Sequence, residues 1–185
     1  MIYKSIAAEE TKLKIAIICA TVGGTTLECA ELLKRELKNQ SVEIFEVGKN
    51  EPNLASFDIV IIGFPIIMGK AAKSARKYIK ENLEELKKAK TAYYMCCGFI
   101  DCFDDYARKC IPSELSDAAI DVACLGGSLD PTRFKGINKL VVKSVRAEIL
   151  GGGDNGDERK DMTLPTVLEE NISQFADKIK KSAEL

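Results

Sequence analysis

Residues 16–33, AIICATVGGTTLECAELL, run from an apolar stretch through a glycine- and threonine-rich turn into a helical pattern. Ile15 to Cys19 reads as a buried strand, and Leu27, Ala30, Leu32, Leu33 and Leu37 recur near helical spacing. Thr21 to Thr26 must therefore span a strand end and a helix start. The first amides of a helix have no partner inside it, and the positive end of the helix dipole lies among them. An anionic group, a phosphate first of all, suits that place. Thr21, Thr25 and Thr26 add hydroxyl donors, Val22 adds its amide, and Gly23 and Gly24 let the backbone come close. A plainer reading stays open on this stretch alone: Gly-Gly makes the turn and Thr25 caps the helix.

Outward from this turn, strand and helix patterns alternate. Strands are expected over 13–20, 42–47, 57–63, 90–96 and 120–125, and helices over 25–38, 70–87, about 102–110, 133–149 and 166–183. KIAIICA and DIVIIGF are apolar almost throughout, as in central strands covered on both faces, whereas SVEIFEV carries Glu43 and Glu46 and suits an edge. The pattern is that of an α/β domain with a parallel sheet between two helical layers. Residues 1–12 read as an N-terminal extension and 13–185 as one domain. GGGDNGDERKD, from 151, lacks the spacing of an EF-hand loop and reads as a connection.

Open sheets of this kind bind ligands beyond the carboxyl ends of their strands. Two further strand ends carry apolar residues where an ordinary loop would be polar: Phe64, Pro65, Ile66, Ile67, Met68 and Gly69 after the third strand, and Cys97, Gly98, Phe99, Ile100, Asp101, Cys102 and Phe103 after the fourth. They are expected to form two walls of a flat slot that ends at the phosphate turn. Folding back onto the core, or burial in a homodimer, is the alternative for either loop.

Composition narrows the chemistry. The net charge is -1 with no basic tract, so nucleic acid is not an expected partner. No histidine is present, which removes imidazole acid/base catalysis and His-containing zinc sites. Seven cysteines, an odd number, fit reduced thiols in a cytoplasmic protein better than a disulfide framework. Cys96, Cys97, Cys102 and Cys110 match no standard metal spacing, and neighbouring Cys96 and Cys97 should point to opposite faces of their strand. No stretch is long enough to span a bilayer. Residues 133–149 suit a helix with a solvated basic face packed on the sheet, or peripheral contact with a membrane surface.

These residues resemble the flavodoxin family. ATVGGTT at 20–26 is similar to its Thr-x-Thr-Gly-x-Thr phosphate loop, with Thr21, Gly24 and Thr26 on matching positions and Gly23 where a Thr is usual. FDIVIIGFPIIMGKAAKSARKYIKENLEELKKAK at 57–90 resembles the family's third strand, flavin loop and next helix. YARKCI at 106–111 and LGGSLDPTRFKGINKLVVKSV, with Gly152, Gly153, Asp157, Arg159 and Lys160, look closest to the branch containing menaquinone-dependent protoporphyrinogen oxidase. The resemblance implies a flavodoxin-like, doubly wound five-stranded parallel sheet in the order 2-1-3-4-5. It also implies non-covalent FMN, with electron transfer to redox partner proteins or to a quinone. Asp101, Asp104 and Asp105 would then disfavour a negatively charged reduced ring, or else serve the helix that begins near them. Gly69 would permit a peptide rearrangement at the flavin.

Overall fold

In the computed structural model residues 12–151 and 164–182 are described; most of the N-terminal extension and nearly all of GGGDNGDERKD lie outside them. The strands are β1 (Lys14–Cys19), β2 (Ser41–Glu46), β3 (Ile59–Ile67), β4 (Lys70–Ala71), β5 (Lys90–Cys96) and β6 (Val122–Cys124). The helices are α1 (Thr25–Glu36), α2 (Lys73–Glu81), α3 (Leu83–Leu86), α4 (Phe103–Cys110), α5 (Ser113–Ser116), α6 (Gly136–Gly151) and α7 (Glu169–Lys181). The sheet runs β2-β1-β3-β5-β6, all parallel, which is the expected order, and β4 is an added short strand antiparallel to the end of β3.

The alternation of side chains along a strand sends one set to each layer. Ile15, Ile17, Ile59 and Ile61 meet α1 and α7 through Leu33, Phe175 and Ile179. Ala16, Ile18, Val60, Ile62 and Phe64 meet the α2–α5 layer through Ala75, Tyr78, Ile79 and Leu115. The connection after β1 therefore leaves toward one face and the connection after β3 toward the other. Neighbouring strands whose connections diverge open a crevice at their carboxyl ends, and the turn at 21–24 lies there.

Several expected boundaries change; the strand expected over 120–125 shortens to Val122–Cys124, and the helix expected over 166–183 starts at Glu169. β3 continues to Ile67 because Ile66 and Ile67 pair with Ala71 and Lys70. The loop expected at 64–69 is thus mostly strand, closed by a two-residue turn at Met68 (φ 50°) and Gly69 (φ 74°). Two positive φ angles in succession make the tight hairpin turn that suits strand twist, at a cost for the non-glycine Met68. The helix expected over 70–87 starts only at Lys73 and breaks at Asn82, whose Nδ2 donates to Tyr78 O (2.9 Å) and ends α2. The helix expected over 133–149 begins at Gly136, and none of its described side chains joins either core cluster.

Candidate functional site

The turn after β1 is built by its own side chains. Thr21 Oγ1 accepts the Gly24 amide (3.0 Å), and Gly24 takes the left-handed conformation (φ 84°) that starts α1. No side chain caps this helix, so Thr25 is its first residue rather than its cap. The first intrahelical bond is Glu28 N–H to Gly24 O (2.9 Å), which leaves the amides of Thr25, Thr26 and Leu27 without a partner in the helix. Thr25 Oγ1 and Thr26 Oγ1 are both buried and make no hydrogen bond. At the first two helical positions no carbonyl one turn earlier is available to them. Two orphaned hydroxyls beside unpaired amides are donors waiting for an acceptor, since buried polar groups are ordinarily paired.

The base of the turn is anchored from below. Tyr94, fully buried in β5, donates its hydroxyl to Thr26 O (2.9 Å), and its ring lies edge-on to Phe175. Burial raises the Tyr94 pKa well above its ordinary value, so the phenol stays a donor. The ring crosses β3 where Gly63 stands in register with it, and a Cβ on Gly63 would lie 1.9 Å from Tyr94 Cζ. The glycine in β3 thus makes room for a strut between β5 and the head of α1.

A cleft of about 200 Å³ opens from this turn. Gly23, Thr25 and Thr26 form one end, Pro65–Gly69 and Cys97–Phe99 form two walls, and Gly127–Leu129, Phe134, Val141, Val142 and Val145 cover it. Of the stretches expected at 64–69 and 97–103, Pro65–Gly69 and Cys97–Phe99 line this cleft. The cover was not expected: an apolar helical face does not say what it covers, and α6 closes over the slot. Gly23 is explained by the same cover, because a Cβ there would meet the Phe134 ring at 2.6 Å. Arg133 reaches across to Glu28 on the first turn of α1 (2.6 Å) and ties the cover to the turn.

Among the expected site residues, Gly23, Thr25, Thr26, Pro65, Ile66, Ile67, Met68, Gly69, Cys97, Gly98 and Phe99 come together on the cleft. Thr21, Val22 and Gly24 form the turn without lining it. Phe64 is fully buried against the α2–α5 layer, because the inward alternation of Val60 and Ile62 continues through it. Ile100, Asp101 and Phe103 turn away to a second groove with Cys124 and Asn171. Cys102 is exposed. Asp104 and Asp105 lie in the first turn of α4, where their charge suits the helix dipole, and Asp105 pairs with Arg108 (2.7 Å). Among the described residues no three acidic or sulfur side chains gather as a metal site.

A parallel α/β domain with a neutral, donor-rich turn at the switch point and an apolar slot beside it defines a flavodoxin-like class of fold and crevice. The family model for the flavodoxin domain matches residues 16–155, and the chain belongs to that family. A point mutant of Fusobacterium nucleatum flavodoxin bound to flavin mononucleotide is similar in structure, with TM-score 0.50, 17% identity, and coverage of 92% of this chain and 97% of that one. A flavo di-iron protein mutant from Thermotoga maritima gives TM-score 0.53 at 12% identity, covering 93% of this chain and 36% of that one. A flavodiiron core from Synechocystis gives TM-score 0.50 at 16% identity over 94% and 37%. The chain thus spans about a third of these two larger proteins. At such identities the likeness is one of fold. No curated protein sequence matches the chain.

Proposed function

We propose that the chain binds FMN without a covalent bond and serves as an electron-transfer protein. The observation that carries this is the pair of buried, partnerless hydroxyls on Thr25 and Thr26 at the end of an apolar slot. Membership of the flavodoxin-domain family and the similar Fusobacterium flavodoxin that holds FMN support it. The residues fit the cofactor's two parts. Thr25 and Thr26, with the amides at the head of α1, would hold the phosphate, and Thr21 retains a hydroxyl proton to give although its oxygen is engaged. Pro65–Gly69 and Cys97–Phe99 would hold the ring. FMN when bound supplies the electron chemistry, and the chain orients it and limits its contact with water. Ser128 and Asn138 add polar groups to the walls.

The chain's electron donor and acceptor are redox partner proteins in this reading, and its compartment is the cytoplasm, in keeping with thiols used as packing groups at Cys19 and Cys29. Among the described residues no helix is long and apolar enough to cross a membrane. Titration of the purified protein with FMN should quench flavin fluorescence and produce a bound-flavin visible band. Absence of both would remove the reading.

One observation favours a second reading, a quinone-dependent oxidoreductase of the protoporphyrinogen oxidase type. α6 leaves Ile137 and Leu140 exposed by 75% and 66%, and Met68 at the hairpin tip by 80%. Apolar groups so placed suit a hydrophobic electron donor or a quinone at a membrane surface. Steady-state assay with protoporphyrinogen and a menaquinone analogue separates the two: turnover well above that of free FMN favours the oxidase, and turnover equal to it favours the carrier.

A further inference from the structure

We propose that Cys97 and Cys124 are a redox-active dithiol, which a hydroperoxide oxidises to an intramolecular disulfide. Their sulfurs lie 3.3 Å apart, on the ends of the neighbouring strands β5 and β6. Both are buried, yet each lines a different opening: Cys97 the slot, Cys124 the second groove. Strand ends bring them together. Leu125 N–H donates to Met95 O (2.9 Å), but Cys97 N–H passes over Leu125 and donates to Gly126 O (2.8 Å). One residue of the 124–126 segment is skipped, and the diagonal pair of side chains comes face to face. Gly127 permits the close approach, since a Cβ there would meet Cys97 O at 2.7 Å.

The surroundings divide the labour between the two sulfurs. The Cys97 sulfur lies 3.3 Å from Cys124 Sγ and 3.6 Å from Phe99 O, with one proton to share between them, and its neighbour together with burial favours its thiol form. The Cys97 sulfur and the nearby Gly126 and Cys97 amides favour a thiolate on Cys124. Cys124, which borders the second groove, is assigned as the attacking sulfur. Its thiolate attacks one peroxide oxygen, the O–O bond breaks, and the departing alkoxide or hydroxide takes a proton, leaving a sulfenic acid on Cys124. Cys97 sulfur then attacks Cys124 sulfur, the S–O bond breaks, and water leaves with the Cys97 proton. Two thiols lose two electrons, and the hydroperoxide becomes an alcohol or water plus one further water. An added dithiol restores both thiols by exchange.

A second close pair in the same chain is the contrast. Cys96 and Cys29 lie 3.7 Å apart on the opposite face of β5, where burial and each other's sulfur raise Cys96 well above the ordinary thiol range and Cys29 has no exposed surface. Cys29 lines neither opening, so that pair is expected to stay reduced.

The test uses the full chain treated with hydrogen peroxide in modest excess, quenched with an alkylating agent, and mapped without reduction. The expected result is a loss of two of the seven titratable thiols, a peptide linking Cys97 to Cys124, and recovery with dithiothreitol. Cys97→Ser should stop at a sulfenic acid on Cys124 that a dimedone probe labels, and Cys124→Ser should form neither. Seven free thiols after treatment, or a linked peptide joining any other two cysteines, overturns the proposal. The wild-type map decides the matter even if a serine variant fails to fold. The readout needs no flavin, so it is independent of the FMN titration.

Discussion

Thr26→Asp is expected to lower FMN affinity at least about tenfold while the protein stays folded. The Thr26 hydroxyl is buried and unpaired at the second residue of α1. A hydrogen bond to a charged group is worth about 1.5–3 kcal/mol, and its loss alone corresponds to roughly one to two orders of magnitude. An aspartate adds like-charge repulsion in a poorly hydrated place, which deepens the loss. Folding should survive, because a carboxylate in the first turn of a helix is favoured by the dipole and finds the unpaired amides of Thr25–Leu27 nearby. Riboflavin, which shares the ring but lacks the phosphate, should lose much less. Circular dichroism checks the fold, and fluorescence quenching gives both affinities. An unchanged ratio of FMN to riboflavin affinity in a folded variant would show that the turn holds no phosphate.

Gly63→Ala should be the most damaging single methyl in the sheet. The new Cβ would fall 1.9 Å from Tyr94 Cζ and 2.2 Å from its hydroxyl oxygen, and both residues are buried between strands that cannot part. Forcing a group into a packed core costs about 1–3 kcal/mol, and displacing the Tyr94 hydroxyl from Thr26 O strands a buried donor at about 1–3 kcal/mol more. For a chain of this length each kcal/mol is worth roughly 2–4 °C in melting temperature, so a fall of about 5–20 °C is expected. The damage should also reach the binding turn, because Tyr94 is its anchor. Thermal unfolding measures the first effect, and FMN titration well below the transition measures the second. Tyr94→Leu removes the obstacle, so the double variant should be less destabilised than the two single changes added together. A Gly63→Ala protein within about 0.5 kcal/mol of the wild type would mean that Tyr94 does not cross β3 there.

The central sheet was legible because long apolar strands leave few alternatives: Ile15–Cys19 and Ile59–Ile62 can only be covered on both faces, and the glutamates of β2 mark an edge. The turn between β1 and α1 was legible because helix starts carry a fixed set of unpaired donors, whatever else surrounds them. The hairpin after β3 was harder. Its period-two alternation does continue through Ile62, Phe64 and Ile66, which is the signal that the strand runs on and that Phe64 faces the core. The left-handed Met68 leaves no such signal, since nothing in a methionine announces a positive φ. The cover over the slot was beyond reach for another reason. Asp130 accepts from the Thr132 amide (2.9 Å), a local turn that DPTR suggests, but the return of Phe134 to Gly23 and of Arg133 to Glu28 spans about a hundred residues. Only tertiary contact decides such a meeting.

The packing of Phe134 on Gly23 makes two distant positions hostage to each other. A threonine at 23, usual in the phosphate loops this one resembles, would need the volume that the ring now fills; a smaller residue at 134 would leave a gap that a bare glycine cannot close. A side chain at 23 requires the Phe134 ring to move aside, and the order of changes matters: shrinking 134 first opens a space, enlarging 23 first pushes on the ring. The glycine in this turn is thus one half of an epistatic pair whose other half lies in the cover. The fitness of either residue is defined only in the presence of its counterpart.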